Sequence, residues 1–163
     1  MHAITVLRED HERIQSLLGG FSGNGNDPRP FEKLKKELTV HVLAEDNIFL
    51  PQVEDAIEDS RKTTEEFLDA GVLAGAREIV GAAYENHDEI RALLARGRAP
   101  DAVDELARLV GRQVELEESL YPEAEKVLED EDFERIGDLI EHCKWQVGGL
   151  AQASLASSSN FRP

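Results

Sequence analysis

A single cysteine, Cys143, occurs among the 163 residues, so no intrachain disulfide can form and no feature demands an oxidising compartment. Ile140 and Val147 stand at helical spacing around it, which predicts a packed apolar thiol rather than a redox one. Positive charge is also scarce: 18 Lys and Arg against 34 Asp and Glu leave a formal net charge of −16. Non-specific attraction to phosphate backbones or anionic lipid is thereby excluded, and neither nucleic acid nor a membrane is an expected partner. No uncharged apolar run approaches the roughly 20 residues that cross a bilayer, and Met1 to Asp10 lacks the basic, apolar and small-residue succession of an export signal. A soluble cytoplasmic protein is expected, and a monomer. Sustained period-2 alternation is missing as well, and turn signals are spaced too widely for a sandwich or barrel.

What the chain does have is helical periodicity. Apolar residues make up 40% and charged ones 32%, enough for one core if the apolar residues are segregated onto one face of each helix. The stripe Ile4, Leu7, His11, Ile14, Leu18 predicts a helix over about 3–19, ended by Gly19 and Gly20. Leu34, Leu38, His41, Glu45 and Ile48 predict a second over about 31–58, which Pro51 should kink or terminate. Ala76, Val80, Ala83, His87, Ile90 and Leu94 mark a third over about 63–96, with a break expected near Gly71 or Gly75. Leu106, Leu109, Gln113, Glu117 and Leu120 mark a fourth over about 101–129, with Asp101 as its N-cap. Phe133, Ile136, Ile140, Cys143 and Val147 mark a fifth over about 131–153, and 154–163 reads as a fraying tail. Residues 1–153 therefore form one all-α domain. The acidic run Glu129 to Asp132 reads as a solvated face and a cap for the fifth helix.

The chain also repeats itself. Asp10-His11-Glu12-Arg13-Ile14-Gln15-Ser16-Leu17-Leu18 matches Asn86-His87-Asp88-Glu89-Ile90-Arg91-Ala92-Leu93-Leu94, with His, Ile and both Leu in register. Glu45 to Pro51 parallels Glu117 to Pro122, one residue shorter. Duplication of a helical hairpin predicts an up-down four-helix bundle with a pseudo-two-fold axis and an additional C-terminal fifth helix.

Ligand-type residues stand where leucines should. His11, His41, Glu45, His87 and Glu117 lie within the apolar stripes of four helices, and a buried ionisable group must be paired, neutralised or metal-bound. His41 and Glu45, at i and i+4, face the same way. Three imidazoles and two carboxylates converging in a bundle suit a borderline metal pair such as iron.

The string His41-Val-Leu-Ala-Glu45-Asp46-Asn-Ile-Phe-Leu-Pro51 resembles the His-x3-Glu-Glu/Asp…Pro signature of hemerythrin-like (HHE cation-binding) domains. Asp10-His11…Ile14 and Asn86-His87…Ile90 resemble their other histidine motif, and the likeness spans about residues 4–128. It extends to the stand-alone actinobacterial and mycobacterial hemerythrin-like proteins. The resemblance implies two iron ions, a non-haem di-iron centre with oxo, hydroxo or carboxylate bridges. His11, His41 and His87 would be terminal ligands, and Glu45 and Glu117 bridges. In one respect the chain departs from the pattern: the fourth motif normally begins with a histidine, and here that position is Gln113. Arg112 lies roughly 100° off the stripe and is the poorer equivalent. Tyr84, one turn before His87, is a candidate to fill the gap or support it, with an interhelical hydrogen bond as the plainer reading. His142 is a weaker candidate, otherwise a surface residue, and His2 is expected to be free. No catalytic residue beyond the metal site is assigned.

With a histidine missing, more exchangeable positions remain, which favours catalase-like or peroxidase-like turnover of hydrogen peroxide. The alternative is binding or sensing of dioxygen or nitric oxide, or iron buffering, without turnover.

Overall fold

The computed structural model describes all residues except 22–27, 64–69, 98 and 159–163. Among these described residues six α-helices follow in order: α1 (Ala3–Gly19), α2 (Arg29–Ala44), α3 (Leu50–Thr63), α4 (Ala70–Arg96), α5 (Pro100–Ala124) and α6 (Asp130–Ser158). A π-helical turn, Glu45–Phe49, joins α2 to α3 without leaving helical backbone, so the two form one rod. The described residues contain no strand, and none of the helices is long and apolar enough, over those residues, to cross a membrane.

Several boundaries differ from the sequence-based expectation. Pro51 neither ends the second helix nor stands at its end; the rod continues to Thr63. In a regular α-helix Pro51 would clash with the carbonyl of Asn47 and leave it without a donor. The π-turn immediately before it, where the Leu50 N–H reaches Glu45 O, widens the helix at that point and relieves the conflict. Asp101 is not the N-cap of α5. Pro100 takes the first helical position, where its fixed φ is already suitable and its missing N–H costs nothing, and Ala99 is the cap. Helix α5 stops at Ala124, short of residue 129, just beyond Pro122. Helix α4 runs unbroken through Gly75, because one glycine costs only about 1 kcal/mol within a packed helix. Thr63, expected to begin that helix, instead ends α3, and α4 is described from Ala70 onward; residues 64–69 and the end of the tail lie outside the described residues. Helix α6 extends past 153 to Ser158.

The apolar interior is divided into two clusters. One gathers Leu7, Phe49, Val53, Val80, Leu120 and Ile136 with their neighbours. The other gathers Ile14, Leu34, Leu38, Ile90, Leu106 and Leu109 with theirs. Between them lie Asp10, His11, His41, Glu45, Asn86, His87, Gln113 and Glu117, which are the buried polar and charged side chains among the described residues. Helices α1 and α4 pass from the first cluster to the second, whereas α2–α3 and α5 pass from the second to the first. Each fully buried Leu, Ile or Phe contributes about 1.5–3 kcal/mol, so the two flanking clusters hold the polar layer at a fixed depth in all four segments.

Helix α6 closes one side of this arrangement, packing Phe133, Ile136 and Ile140 into the first cluster. Its start is capped as the acidic run suggests: Asp132 Oδ2 accepts the Glu129 N–H at 3.3 Å, the return bond of a capping box. The chain start lies across it. A side chain at Gly137 would meet the Met1 backbone, and His2, expected to be free, stacks on Phe133 at 4.7 Å.

Candidate metal centre

The polar layer is built from four segments. Helix α1 supplies His11, α2 supplies His41, the π-turn supplies Glu45, α4 supplies His87, and α5 supplies Gln113 and Glu117 one turn apart. His41 Nε2 lies 3.3 Å from Glu45 Oε1, and His11 Nε2 lies 3.3 Å from Glu117 Oε1. The His11 and His41 rings meet edge to face, 4.8 Å between centroids. His87 stands on the far oxygen of Glu45, with Nε2 2.9 Å from Oε2.

His11, His41, Glu45 and Glu117 each present one ligand atom, and these four atoms lie within 4.8 Å of one another. Neither nitrogen of His11 or His41 has a hydrogen-bond partner, and His87 Nε2 and Glu45 Oε1 also lack one. Unsatisfied buried polar atoms cost about 1–3 kcal/mol each, so this concentration of them requires a cause. Metal–ligand bonds of about 2.0–2.2 Å at tetrahedral or octahedral angles place neighbouring donors roughly 3.0–3.5 Å apart. The two 3.3 Å approaches match that spacing while failing as hydrogen bonds. The donor set fits a cation.

Other side chains hold these groups in place. Gln113 Nε2 donates to Glu45 Oε2 at 3.1 Å and to Glu117 Oε1 at 2.5 Å. Tyr121, one turn beyond Glu117, donates its hydroxyl to Glu117 Oε2 at 2.7 Å. Behind His41, Asp10 Oδ2 lies 3.6 Å from Nδ1 while its Oδ1 accepts from Lys144 of α6 and from Arg13, both at 2.9 Å. Behind His87, Asp46 Oδ1 lies 2.6 Å from Nδ1, and the partly exposed Asp46 pairs in turn with Arg91. The π-turn makes this possible, because a wider helical turn reduces the angle between successive side chains and brings Glu45 and Asp46 toward the same side.

The electrostatics alternate in sign. Burial disfavours the charged His11 ring, but the Glu117 and Glu45 carboxylates overcome it and the ring is pushed up to about 9. Burial and the charge of Glu117 raise Glu45. For Glu117 the burial effect is outweighed by His11 and His41, which hold it well below the usual carboxylate range. Burial would also raise Asp10, yet His41 and Lys144 keep it lowered. Tyr121 is raised, by burial and then by Glu117 and Glu45, and so remains a hydroxyl donor.

The structure therefore brings His11, His41, Glu45, His87, Gln113 and Glu117 together. Gln113 faces inward while Arg112 reaches Glu89. Tyr84 and His142, the candidates for filling the gap at Gln113, lie outside the layer. Tyr84 points away from the layer and donates to Glu54 Oε2 of α3 at 3.1 Å, since a residue beside the stripe of α4 meets the neighbouring rod rather than the core. His142 is exposed, with Nε2 2.8 Å from Gln146 one turn along α6. Sequence reasoning missed Tyr121, although its i+4 spacing from Glu117 is readable, because it adjoins Pro122 where the periodic stripe of α5 runs out. It also missed Asp10 and Lys144, whose contact joins α1 to α6 and leaves no local pattern, and Asn86, whose Nδ2 donates to Gln113 Oε1 at 2.9 Å. No family model, curated protein or solved structure matches the chain.

Proposed function

We propose that the chain is a hemerythrin-like, up-down four-helix bundle with a fifth helix, and that its buried layer holds non-haem iron and consumes hydrogen peroxide. The observation that carries this reading is the set of partnerless ring nitrogens of His11 and His41 and the partnerless Oε1 of Glu45, gathered with Glu117 within 4.8 Å. The opposite order in which α1 and α4, and α2–α3 and α5, traverse the layers supports the alternating bundle. Imidazole and carboxylate donors without thiolate suit iron. When bound, iron supplies the redox couple that dismutation of two peroxides to two waters and dioxygen needs.

The chain's own groups have separate tasks. Glu45 and Glu117 provide charge to hold a cation, and Gln113 and Tyr121 fix their oxygens by donating to them. The two apolar clusters exclude bulk water above and below. Asp46, partly exposed between His87 and Arg91, provides a polar edge at which protons enter and leave. Dismutation takes two protons from the peroxide that is oxidised and returns them to the one that is reduced, so a carboxylate beside the layer that holds a proton between the two half-reactions favours the enzyme over a carrier, which needs no such store. The test is an oxygen-electrode trace on adding peroxide to the iron-loaded chain. Dioxygen release that disappears with the iron supports the enzyme; a reversible visible band on cycling dioxygen, without peroxide consumption, supports the carrier.

A further inference from the structure

The internal repeat sets Asp10, His11, His41 and Glu45 against Asn86, His87, Gln113 and Glu117. In the first copy an acceptor, Asp10 Oδ2, faces Nδ1 of His41, whose Nε2 faces Glu45. In the second copy a donor, Asn86 Nδ2, faces Oε1 of Gln113, whose Nε2 faces Glu45 and Glu117. The two exchanges compensate one another. A ring at 41 needs an acceptor behind it to turn a lone pair inward, whereas an amide at 113 needs a donor behind it to turn its protons inward.

The direction of both amides is fixed from either end. The Leu109 carbonyl only accepts, so the Asn86 atom 3.1 Å from it is the nitrogen. That nitrogen also meets Gln113, which must answer with its oxygen and leave Nε2 toward two carboxylates that likewise only accept. Flipping Gln113 would set oxygen against oxygen in a buried place.

The two sides of Glu45 are consequently unequal. His41 Nε2 faces Glu45 Oε1 and His11 Nε2 faces Glu117 Oε1, and one ligand atom from each of these four residues falls in a common cluster. On the side of Oε2, lone pairs come from His87 Nε2 and Glu45 Oε2, and Gln113 brings protons. The remaining oxygen of Glu117 is occupied by the Tyr121 hydroxyl. Two protein donors fall short of the three or more that retain a transition-metal ion. The resemblance implies a pair of ions. We propose instead, resting on the reading that this layer binds metal, that the chain retains one ion, held by His11, His41, Glu45 and Glu117. The Gln113 amide, oriented by Asn86, ties the two carboxylates together where a second ion would do so.

The test is a count made on the full, metal-free chain titrated anaerobically with Co2+, which accepts the same nitrogen and oxygen donors. Cobalt retained through gel filtration is measured per chain, and the loaded protein is examined by electron paramagnetic resonance. One cobalt per chain with the signal of an isolated high-spin ion is expected. Two retained per chain, with a magnetically coupled signal, would overturn the inference and leave the metal reading standing. None retained would overturn both. The double variant Asn86→Asp/Gln113→His rebuilds the first copy's arrangement in the second and is expected to raise the count to two. A folded double variant that still retains one would refute the role given to the amide; should it fail to fold, the count on the unaltered chain decides.

Discussion

Lys144 Nζ donates to Asp10 Oδ1 at 2.9 Å, and the other oxygen of Asp10 lies 3.6 Å from His41 Nδ1, so α6 is joined to the polar layer through one buried carboxylate. A four-helix domain alone would leave Oδ1 of Asp10 with Arg13 only. Lys144→Ala is expected to lower unfolding stability by about 1.5–3 kcal/mol, the range for a hydrogen bond to a charged group. Urea unfolding checks it; an unchanged midpoint would show that Arg13 suffices.

The same carboxylate sets a pH dependence. Asp10 is lowered in the folded chain from an ordinary value of 3.8. A depressed folded value means the contribution is present above the unfolded value and is lost as pH falls through the folded one. Stability of the unaltered chain is expected to fall more steeply with acid below about pH 4 than that of Asp10→Asn. Parallel curves from urea midpoints taken across that range would contradict the assignment.

Tyr84 and Tyr121 are expected to behave oppositely. Tyr84→Phe removes one contact with Glu54 and leaves the spectrum and iron content of the loaded protein alone. Tyr121→Phe strips a donor from buried Glu117 and is expected to cost about 1–3 kcal/mol and to loosen the metal. A visible charge-transfer band abolished by Tyr84→Phe would overturn the position given to that residue.

How much of this was readable beforehand follows from the range of each interaction. His11, His41, Glu45, His87, Gln113 and Glu117 stood out because helical phase alone carries a side chain into or out of a core, and polar residues in an apolar stripe contradict it. Phase could not say which neighbour Tyr84 would meet, because that depends on where α3 lies, and α3 continues past Pro51 only through the π-turn. The same turn brings Asp46 behind His87, and nothing in the 3.6-residue period announces it. Asp10 and Asn86 occupy equivalent places in the repeat, yet the carboxylate that faces a ring and the amide that donates to an amide are told apart only when His41 and Gln113 are set beside them.

Asp46→Asn tests the polar edge. Asp46 Oδ1 holds the His87 ring against Glu45 Oε2 at the partly exposed edge of the layer, and losing a group that relays protons typically costs roughly 100-fold or more. A loss of that size in peroxide consumption is expected, with circular dichroism unchanged. Full activity in the variant would show that His87 works without Asp46.

Because ligands come from four segments, binding is expected to stabilise the assembled chain. At a free metal concentration of about 100 times Kd the gain is ~2.7 kcal/mol, which at ~2–4 °C per kcal/mol corresponds to a rise in Tm of roughly 5–10 °C. Equal Tm values before and after verified removal would place the metal outside the layer.

The most direct test of the central claim is the iron content, by elemental analysis, of the chain purified from cells grown with iron. The expected result is one iron per chain, lost in a folded Glu45→Gln variant. A folded chain that carries no metal, or one whose iron survives substitution of Glu45 unchanged, would contradict the assignment of this layer as a metal centre.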